Sequence, residues 1–324
     1  MENGQWKIIV GAVSSGLMFE SFEIGPVIIW MRLVFLLLAV WISLEFFLRL
    51  AASASLSIQS VKDYARWHLL AFVLMGRVMA ILGDYQSYEK DWLRTLIFWD
   101  GNFSFIGGAI GIAIVLFFAT RTQRATYLQW LDVLFPATSF GLALDWIGMF
   151  LSSQDYGKPT NVPWAITVDT FNVRYTVPIH PVQLYYAIFF FLLTFVLLMI
   201  RKYSKRAGAE TLIGIIAASI VVFLFEYLRG DFAIPVFALL TDFIFLGSLI
   251  ASLGVLALLE QRLSERTNLI YGSVVGVLTI SYVIARPWID LPQYQLRFSQ
   301  VLAILALLAT VVYVVVHRRK YPHL

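Results

Sequence analysis

Residues 135–151 read FPATSFGLALDWIGMFL, and residues 152–166 continue as SSQDYGKPTNVPWAI. The first run is apolar over a length typical of a membrane crossing, whereas the second is a polar turn containing Gly and Pro. Backbone that leaves a helix at membrane depth must be buried in protein or line a wet cavity, because lipid offers it no hydrogen bonds. We therefore expect a site within 98–186, centred on 141–164.

The composition predicts a polytopic membrane protein. The 324 residues are 60% hydrophobic and 14% charged, with a mean hydropathy of +0.79, which is too apolar for a soluble globular protein. The net charge of +4 does not indicate nucleic-acid binding, because Lys and Arg are spread over short loops. The absence of Cys excludes disulfides, thiolate metal sites and a nucleophilic thiol. The N-terminal residues lack signal-peptide features, so we expect the first span to stay as an anchor.

Apolar windows predict an all-α protein with about nine transmembrane helices, each long enough to cross a ~30 Å hydrocarbon core. Residues 6–24 predict a short extended or interfacial segment, followed by a break at Gly25-Pro26. No internal repeat or linker is visible, which favours one membrane domain with the last two spans as an appendage. The windows are 26–49, 68–83, 105–120, 128–151, 181–200, 211–228, 236–259, 269–285 and 298–317.

The distribution of Lys and Arg predicts the orientation. The loops and ends that include RKYSKR at 201–206 and the C-terminal RRK hold the larger share of these residues, which predicts a cytoplasmic side. The N-terminus is then outside and the C-terminus inside. On this topology the polar stretch 141–180 opens to the extracytoplasmic side.

Ionisable residues inside apolar spans are functional candidates, because burying a charge in a membrane is costly. Arg77, Glu226, Arg229 and Asp231 could meet near the outer half of the bundle, either holding helices together or presenting an Arg to a phosphate. Glu226 and Arg229 lie three residues apart, which favours a structural pair. The candidates are Arg32, Arg77, Asp132, Asp145, Glu226 and Asp242.

His180 begins HPVQLYYA, directly before a predicted span. It is either an interfacial residue at the start of a helix, where Pro181 suits the first turn, or a general base at the membrane surface. Gly107, Gly108 and Gly111 predict close helix contacts rather than a phosphate loop. The spacings match no P-loop, zinc site or Ser-His-Asp arrangement, and we expect neither a metal nor a cofactor.

Between about residues 19 and 259 the chain contains the stretches FEIGPVI, GR at 76–77, FWDGNFSFIGGAIG at 98–111, TRTQRATYLQWLDVLFPATSFGLAL at 120–144, YGKPTNVPWAI at 156–166, HPVQLYYA at 180–187 and FEYLRGD at 225–231. Together these stretches resemble the prolipoprotein diacylglyceryl transferase family of bacteria. The resemblance implies a domain of seven spans over 1–259, extended by two further helices over 260–324. It implies an enzyme of the bacterial inner membrane that transfers diacylglyceryl from phosphatidylglycerol to a lipoprotein cysteine.

The chain departs from the family at polar positions. The tyrosine of the family's W-Y-G motif is missing, since this chain reads IIWMRLV, while Glu226 is retained. Scaffold signatures thus persist where the residues for chemistry do not. The substituted positions are Asp145 for glycine, Trp146 for the first arginine, Met149 and Ser152 for two asparagines, Gln154 for glutamate, Ile106 for histidine and Val222 for the second arginine.

Two functional hypotheses follow from the resemblance. In an active, divergent transferase, His180 is the candidate base, Glu226 orients an arginine, and phosphatidylglycerol and a lipoprotein precursor are the substrates. The lipid-binding candidates are then Arg77, Tyr156, Gly157, Lys158, Gln183, Tyr185 and Arg229.

The second hypothesis is a non-catalytic relative that holds a phospholipid, escorts lipoproteins or serves a membrane complex. The selective loss of polar residues favours it. A transporter is disfavoured, because the charges in the spans are few and are not arranged in paired broken helices.

Overall fold

The structure is a computed structural model that describes residues 9–10, 21–24, 27–89, 92–96, 103–121, 124–170, 173–204, 206–231, 238–259, 264–288 and 295–320. The predicted break at Gly25-Pro26 and the residues FWDGN of the motif at 98–111 lie outside this part. The chain divides into two compact units, Met1–Pro235 and Val236–Leu324. The boundary predicted at residues 259 and 260 stays a prediction.

Helices dominate both units. Short antiparallel strands accompany them: β1 (Ile9–Val10), β2 (Ser21–Ile24) and β3 (Val27–Trp30) form one sheet, and β4 (Ala238–Leu239) pairs with β5 (Gln295–Leu296). The helices are α1 (Met31–Ser53), α2 (Ile58–Asp63), α3 (Ala65–Gly83), α4 (Tyr85–Glu89), α5 (Phe105–Thr120), α6 (Arg124–Leu151), α7 (Val182–Tyr203), α8 (Ala209–Phe225), α9 (Leu240–Leu259), α10 (Glu265–Ala285) and α11 (Phe298–Lys320).

Each predicted apolar window overlaps one of these helices, although the first window, 26–49, includes β3 before α1 begins at Met31. Within the residues that the structure describes, six helical segments are long and apolar enough to cross a membrane, and shorter apolar helices accompany them. The chain is therefore a multi-pass membrane protein. The count of nine crossings and the orientation stay predictions, since length and composition alone do not fix them.

Helix α6 is the centre of the first unit. It is the most buried of the six apolar spans and packs against α1, α5, α7 and α8. Small residues allow close contact: a Cβ on Gly141 would lie 2.1 Å from the Ser43 hydroxyl of α1. Between α3 and α5, a Cβ on Gly111 would lie 2.3 Å from the Ala71 carbonyl oxygen, so the predicted close helix contact at this glycine is confirmed.

Asp132 of α6 has a structural partner at the start of α8. Its carboxylate accepts hydrogen bonds from the Gly208 and Thr211 backbone N–H groups at 2.5 and 2.9 Å, and from the Thr211 hydroxyl at 2.7 Å. Gly208 has a φ of +90°, which glycine adopts without strain. The carboxylate therefore satisfies donors that the first turn of a helix leaves unpaired. This contact accounts for one of the charges inside the predicted spans.

The second unit contains α9, α10 and α11. Asp242 at the start of α9 pairs with Arg286, Nε to carboxylate 2.5 Å, and also accepts a hydrogen bond from the Tyr282 hydroxyl. The rings of Phe245 and Tyr282 stack with centroids 4.0 Å apart. Asp242, the candidate in this unit, thus has an ion-pair partner at the far end of α10.

Candidate functional site

The loop between α6 and α7 folds as a small cap with its own apolar core. Tyr156, Val168, Val173 and Ile179 are buried together. Isolated β-bridges join Ile179 to two other positions of the loop. The chain around 135–166, from which we predicted a site, therefore forms an ordered structure at the end of α6.

Backbone hydrogen bonds fasten this loop to the segment that follows α8. The Lys158 N–H donates to the Leu228 carbonyl at 2.8 Å, and the Gly230 N–H donates to the Tyr156 carbonyl at 2.8 Å. Gly157 lies between these two hydrogen-bonded residues of the loop, and a Cβ added to it would be 2.2 Å from the His180 carbonyl oxygen. Tyr156 and Gly157, predicted to shape a binding loop, thus hold the loop against two neighbouring segments.

Arg229 is the centre of a charged cluster beneath the loop. Its guanidinium pairs with Glu226 at 2.9 Å, Asp155 at 2.8 Å and Asp231 at 2.9 Å, and the Arg229 side chain is 12% exposed. The predicted pair between Glu226 and Arg229 is confirmed. Burial opposes the charge of a guanidinium, but the carboxylates outweigh it and raise the pKa of Arg229 further.

A second buried ion pair joins Arg32 of α1 to Asp145 of α6. Arg32 is close enough to Asp155 for their charges to interact. The two pairs therefore belong to one electrostatic neighbourhood, in which two guanidinium groups face four carboxylates. With all groups ionised, this neighbourhood carries a formal charge of −2.

Asp155 carries part of this excess negative charge. Burial and the neighbouring carboxylates Asp231 and Glu226 raise the pKa of Asp155 above its ordinary value, although Arg229 pulls it down. Its backbone has a φ of +52°, a left-handed conformation that is uncommon outside glycine but in which aspartate is enriched. This conformation places the carboxylate beside a guanidinium 74 residues further along the chain.

Aromatic and apolar side chains form the wall beside the cluster. Trp146 stacks on Tyr186 with ring centroids 4.1 Å apart and an interplanar angle of 10°. The Tyr186 hydroxyl lies 3.2 Å from the Glu226 carboxylate and 3.3 Å from the Val222 carbonyl. Met149 and Val222 pack against the same apolar cluster. Trp146, Met149 and Val222, which the resemblance predicts to replace Arg, Asn and Arg, are thus part of a hydrophobic wall.

His180 lies at the mouth of the loop and is half-buried. Its Nδ1 lies 3.2 Å from the Tyr185 hydroxyl, which also accepts a hydrogen bond of 2.6 Å from the Trp164 indole N–H. Burial lowers the pKa of His180, so the imidazole is neutral at pH 7. The His180 N–H donates to the Lys158 carbonyl at 3.0 Å, and the Lys158 side chain is exposed.

Other predicted site residues have different surroundings. Gln183 is buried and donates to the Gln154 carbonyl at 2.6 Å, whereas the Gln154 side chain is exposed. Ile106 is 41% exposed on α5. The Arg77 Nε donates to the Thr95 carbonyl oxygen at 3.3 Å and its guanidinium lies 5.3 Å from the Tyr88 ring centroid, so its predicted meeting with the Glu226–Arg229 pair stays a prediction.

Asp155 and Tyr186 are the central residues that sequence reasoning missed. Asp155 follows the helix in a polar turn, and no sequence pattern pairs it with a distant arginine. Tyr186 stands within HPVQLYYA, where a helical spacing of four from Val182 would have placed it on the buried face. Among the residues that the structure describes, no three His, Asp or Glu side chains are arranged to hold a metal ion.

Fold and site together define a class of protein: a multi-pass helical membrane protein whose buried ionic cluster lies under an ordered loop at one end of the bundle. Residues 20–259 match the sequence model of the family described as prolipoprotein diacylglyceryl transferase. The match covers more than half of the chain, which therefore belongs to this bacterial membrane enzyme family.

Individual relatives have the same family name. The chain is similar to the phosphatidylglycerol–prolipoprotein diacylglyceryl transferase of Finegoldia magna, with 28% identity over 184 residues that cover 56% of this chain and 72% of the relative. The protein of that name from Glaesserella parasuis is 29% identical over 219 residues, covering 64% and 79%. The Vibrio cholerae protein is 30% identical over 214 residues, covering 64% and 77%.

Proposed function

We propose that this chain is a non-catalytic, lipid-binding member of the family. On this proposal it lies in the bacterial inner membrane with its N-terminus outside, and it holds a phospholipid such as phosphatidylglycerol. It then acts as an accessory subunit that serves lipoprotein precursors or another membrane complex. Residues 1–259 then form the family-like domain, and residues 260–324 form its C-terminal extension.

The charge of the ionic cluster carries the proposal. Diacylglyceryl transfer from phosphatidylglycerol expels glycerol phosphate, so the reaction needs cations or donors directed at the departing phosphate. Arg229 is shared among three carboxylates, and Arg32 is paired with Asp145. With a formal charge of −2, this neighbourhood repels a phosphate rather than stabilising it.

The hydrophobic wall supports the same conclusion. Trp146 occupies the family's first arginine position and packs flat against Tyr186. Val222 occupies the family's second arginine position. Its backbone carbonyl accepts a hydrogen bond from the Tyr186 hydroxyl, and its side chain packs against the apolar cluster. The Val222 side chain has no hydrogen-bond donor, and Trp146 has one neutral indole N–H in place of the forked cationic donors of a guanidinium, so both positions suit contact with acyl chains better than with a phosphate.

One observation favours the alternative, an active divergent transferase. His180 is retained, and its lowered pKa leaves it able to accept a proton. The exposed Lys158 side chain on the adjacent strand of the loop is a candidate partner for a phosphate. An active enzyme would then depend on these two residues in place of the missing arginines.

An activity assay separates the two functions. The purified full-length protein is incubated with phosphatidylglycerol and a peptide that carries a lipoprotein-type cysteine, and the peptide mass is measured. The Vibrio cholerae relative is the positive control. We expect no diacylglyceryl mass gain with this chain. A gain in mass refutes the proposal, and its loss in a His180→Ala variant would identify the imidazole as part of the active alternative.

A second experiment tests the claim that the scaffold is intact. A variant with Trp146→Arg, Met149→Asn, Ile106→His and Val222→Arg should remain folded, because the surplus carboxylates can accommodate two added guanidinium groups. The matched control replaces Trp146 and Val222 by Gln, which is polar without charge. If the arginine variant unfolds while the control stays folded, the inferred charge balance is wrong.

A further inference from the structure

A groove of about 540 Å³ lies on the first unit at the opposite end of α1 from the ionic cluster. Its walls are α1 and α7, and Phe140 of α6 contributes to its lining. Arg32 and Arg49 are both on α1, and their separation in sequence corresponds to about 25 Å along the helix axis. The groove is therefore a different site from the one beneath the loop.

The lining of the groove is largely aromatic and aliphatic. Trp41 and Phe46 of α1 face Phe195 and Leu198 of α7, and Trp41 and Phe195 are 68% and 52% exposed. The volume is within the ~300–1,000 Å³ range of small-molecule sites. In a protein that spans a membrane, a groove of this chemistry on the outer surface of the bundle accepts an acyl chain.

Two charged residues stand among the lining residues. The Arg49 Nε donates to the Glu45 carboxylate at 2.8 Å, and the side chains are 75% and 52% exposed. Because charges are costly at hydrocarbon depth, this end of the groove lies at the level of lipid headgroups. On the predicted topology, that level is the cytoplasmic leaflet.

The pair selects the kind of headgroup. A guanidinium binds phosphate oxygens with two parallel hydrogen bonds, and a carboxylate accepts hydrogen bonds from an ammonium group. A headgroup with both a phosphate and a primary ammonium satisfies Arg49 and Glu45 together. An anionic headgroup that lacks an ammonium competes with Glu45 for the Arg49 guanidinium and brings no cation of its own to the carboxylate.

We propose that this groove is a binding site for one zwitterionic aminophospholipid, of the phosphatidylethanolamine class. An acyl chain lies between α1 and α7, the phosphate pairs with Arg49, and the ammonium pairs with Glu45. The site holds a structural lipid in the inner leaflet and is independent of any lipid held at the ionic cluster.

Native mass spectrometry of the full-length protein, released from nanodiscs of equimolar phosphatidylethanolamine and phosphatidylglycerol, tests the proposal. We expect retained lipid to be enriched at least threefold in phosphatidylethanolamine. Glu45→Gln should return the ratio to that of the nanodisc, and Arg49→Gln should reduce retention of both lipids. Asp63→Asn, which alters an exposed pair on α2, is the matched control and should keep the enrichment.

A variant in which a larger side chain fills the groove tests the lipid site independently. Ile42→Trp places an indole within the lining and should reduce the retained aminophospholipid at least threefold. If that variant fails to fold, Glu45→Gln decides, because it leaves the shape of the groove unchanged. Three results would overturn the proposal. The two lipids could be retained in the ratio of the nanodisc, the enrichment in phosphatidylethanolamine could persist in Glu45→Gln, or the protein could be released as a dimer without lipid.

Discussion

Replacing Arg229 by Gln tests whether its ion pairs organise the end of the bundle. The change leaves three carboxylates without their shared guanidinium, while the Glu226 and Asp231 side chains are only 2% and 12% exposed. Removing one partner of a buried ion pair costs about 3–5 kcal/mol. Asp155 is 31% exposed, so water screens part of its contribution. We expect the free energy of unfolding to fall by about 3 kcal/mol.

Thermal unfolding of the full-length protein in nanodiscs, followed by Trp fluorescence, measures this loss. A change of about 3 kcal/mol corresponds to a fall in Tm of roughly 6–12 °C for a domain of this size. Arg206→Gln is the matched control, because it removes an exposed arginine outside the cluster. It should change the free energy of unfolding by less than about 0.5 kcal/mol.

The pH dependence of the Arg229→Gln variant gives the refuting result. Without the guanidinium, protonation of the carboxylates relieves their mutual repulsion, so the variant should lose less stability at pH 5 than at pH 7.5. A loss below about 1 kcal/mol at pH 7.5, or a loss that is equal at both pH values, contradicts the assumption that the carboxylates are buried and mutually repulsive.

Three further predictions concern single residues. Gly157→Ala should lower the free energy of unfolding by about 1–3 kcal/mol, because its Cβ would approach the His180 carbonyl to 2.2 Å; Gly276→Ala, in the interior of α10 with nothing within 4 Å, should not lower Tm in the same thermal scan. Asp132→Ala should cost about 1–2 kcal/mol in denaturant unfolding, since it removes the acceptor for the first turn of α8. The pKa of Asp155 is raised in the folded protein, so the native state keeps a proton at a pH where the unfolded chain has lost it. The free energy of unfolding should therefore fall as the pH rises from about 4, the ordinary pKa of aspartate, through the raised pKa. Asp155→Asn should flatten this slope in a pH series of melts, and an unchanged slope would exclude Asp155 as its source.

Most of the fold can be predicted from the sequence because it follows from local composition. An apolar run of about 20 residues has only one satisfactory backbone conformation in lipid, which is a helix. The pair Glu226–Arg229 is equally local, since residues three apart share a helix face. The extended segment predicted over 6–24 contains β1 and β2, but the short helices α2 and α4 and the strands β3, β4 and β5 were missed, because no long periodic pattern marks them.

The ionic cluster could not be predicted, because it joins residues far apart in sequence. Arg32 and Asp145 are 113 residues apart, and Asp155 and Arg229 are 74 residues apart. Both pairs depend on which helix faces are in contact and on the left-handed turn at Asp155. Asp132 shows the opposite error: a charge inside a span suggested function, yet its carboxylate satisfies the first turn of a neighbouring helix.

The excess of carboxylates in the ionic cluster agrees with the arginine positions that the family resemblance predicts to be substituted. The family resemblance predicts that Trp146 and Val222 stand at two arginine positions, and the neighbourhood in this structure has two more carboxylates than guanidinium groups. In an enzyme, two further guanidinium groups would both neutralise that excess and attract a phosphate. Here Arg229 already has three carboxylate partners, so little positive potential is left for a ligand. On the proposed function, the scaffold keeps its internal ion pairs but lacks the positive potential on which diacylglyceryl transfer would depend.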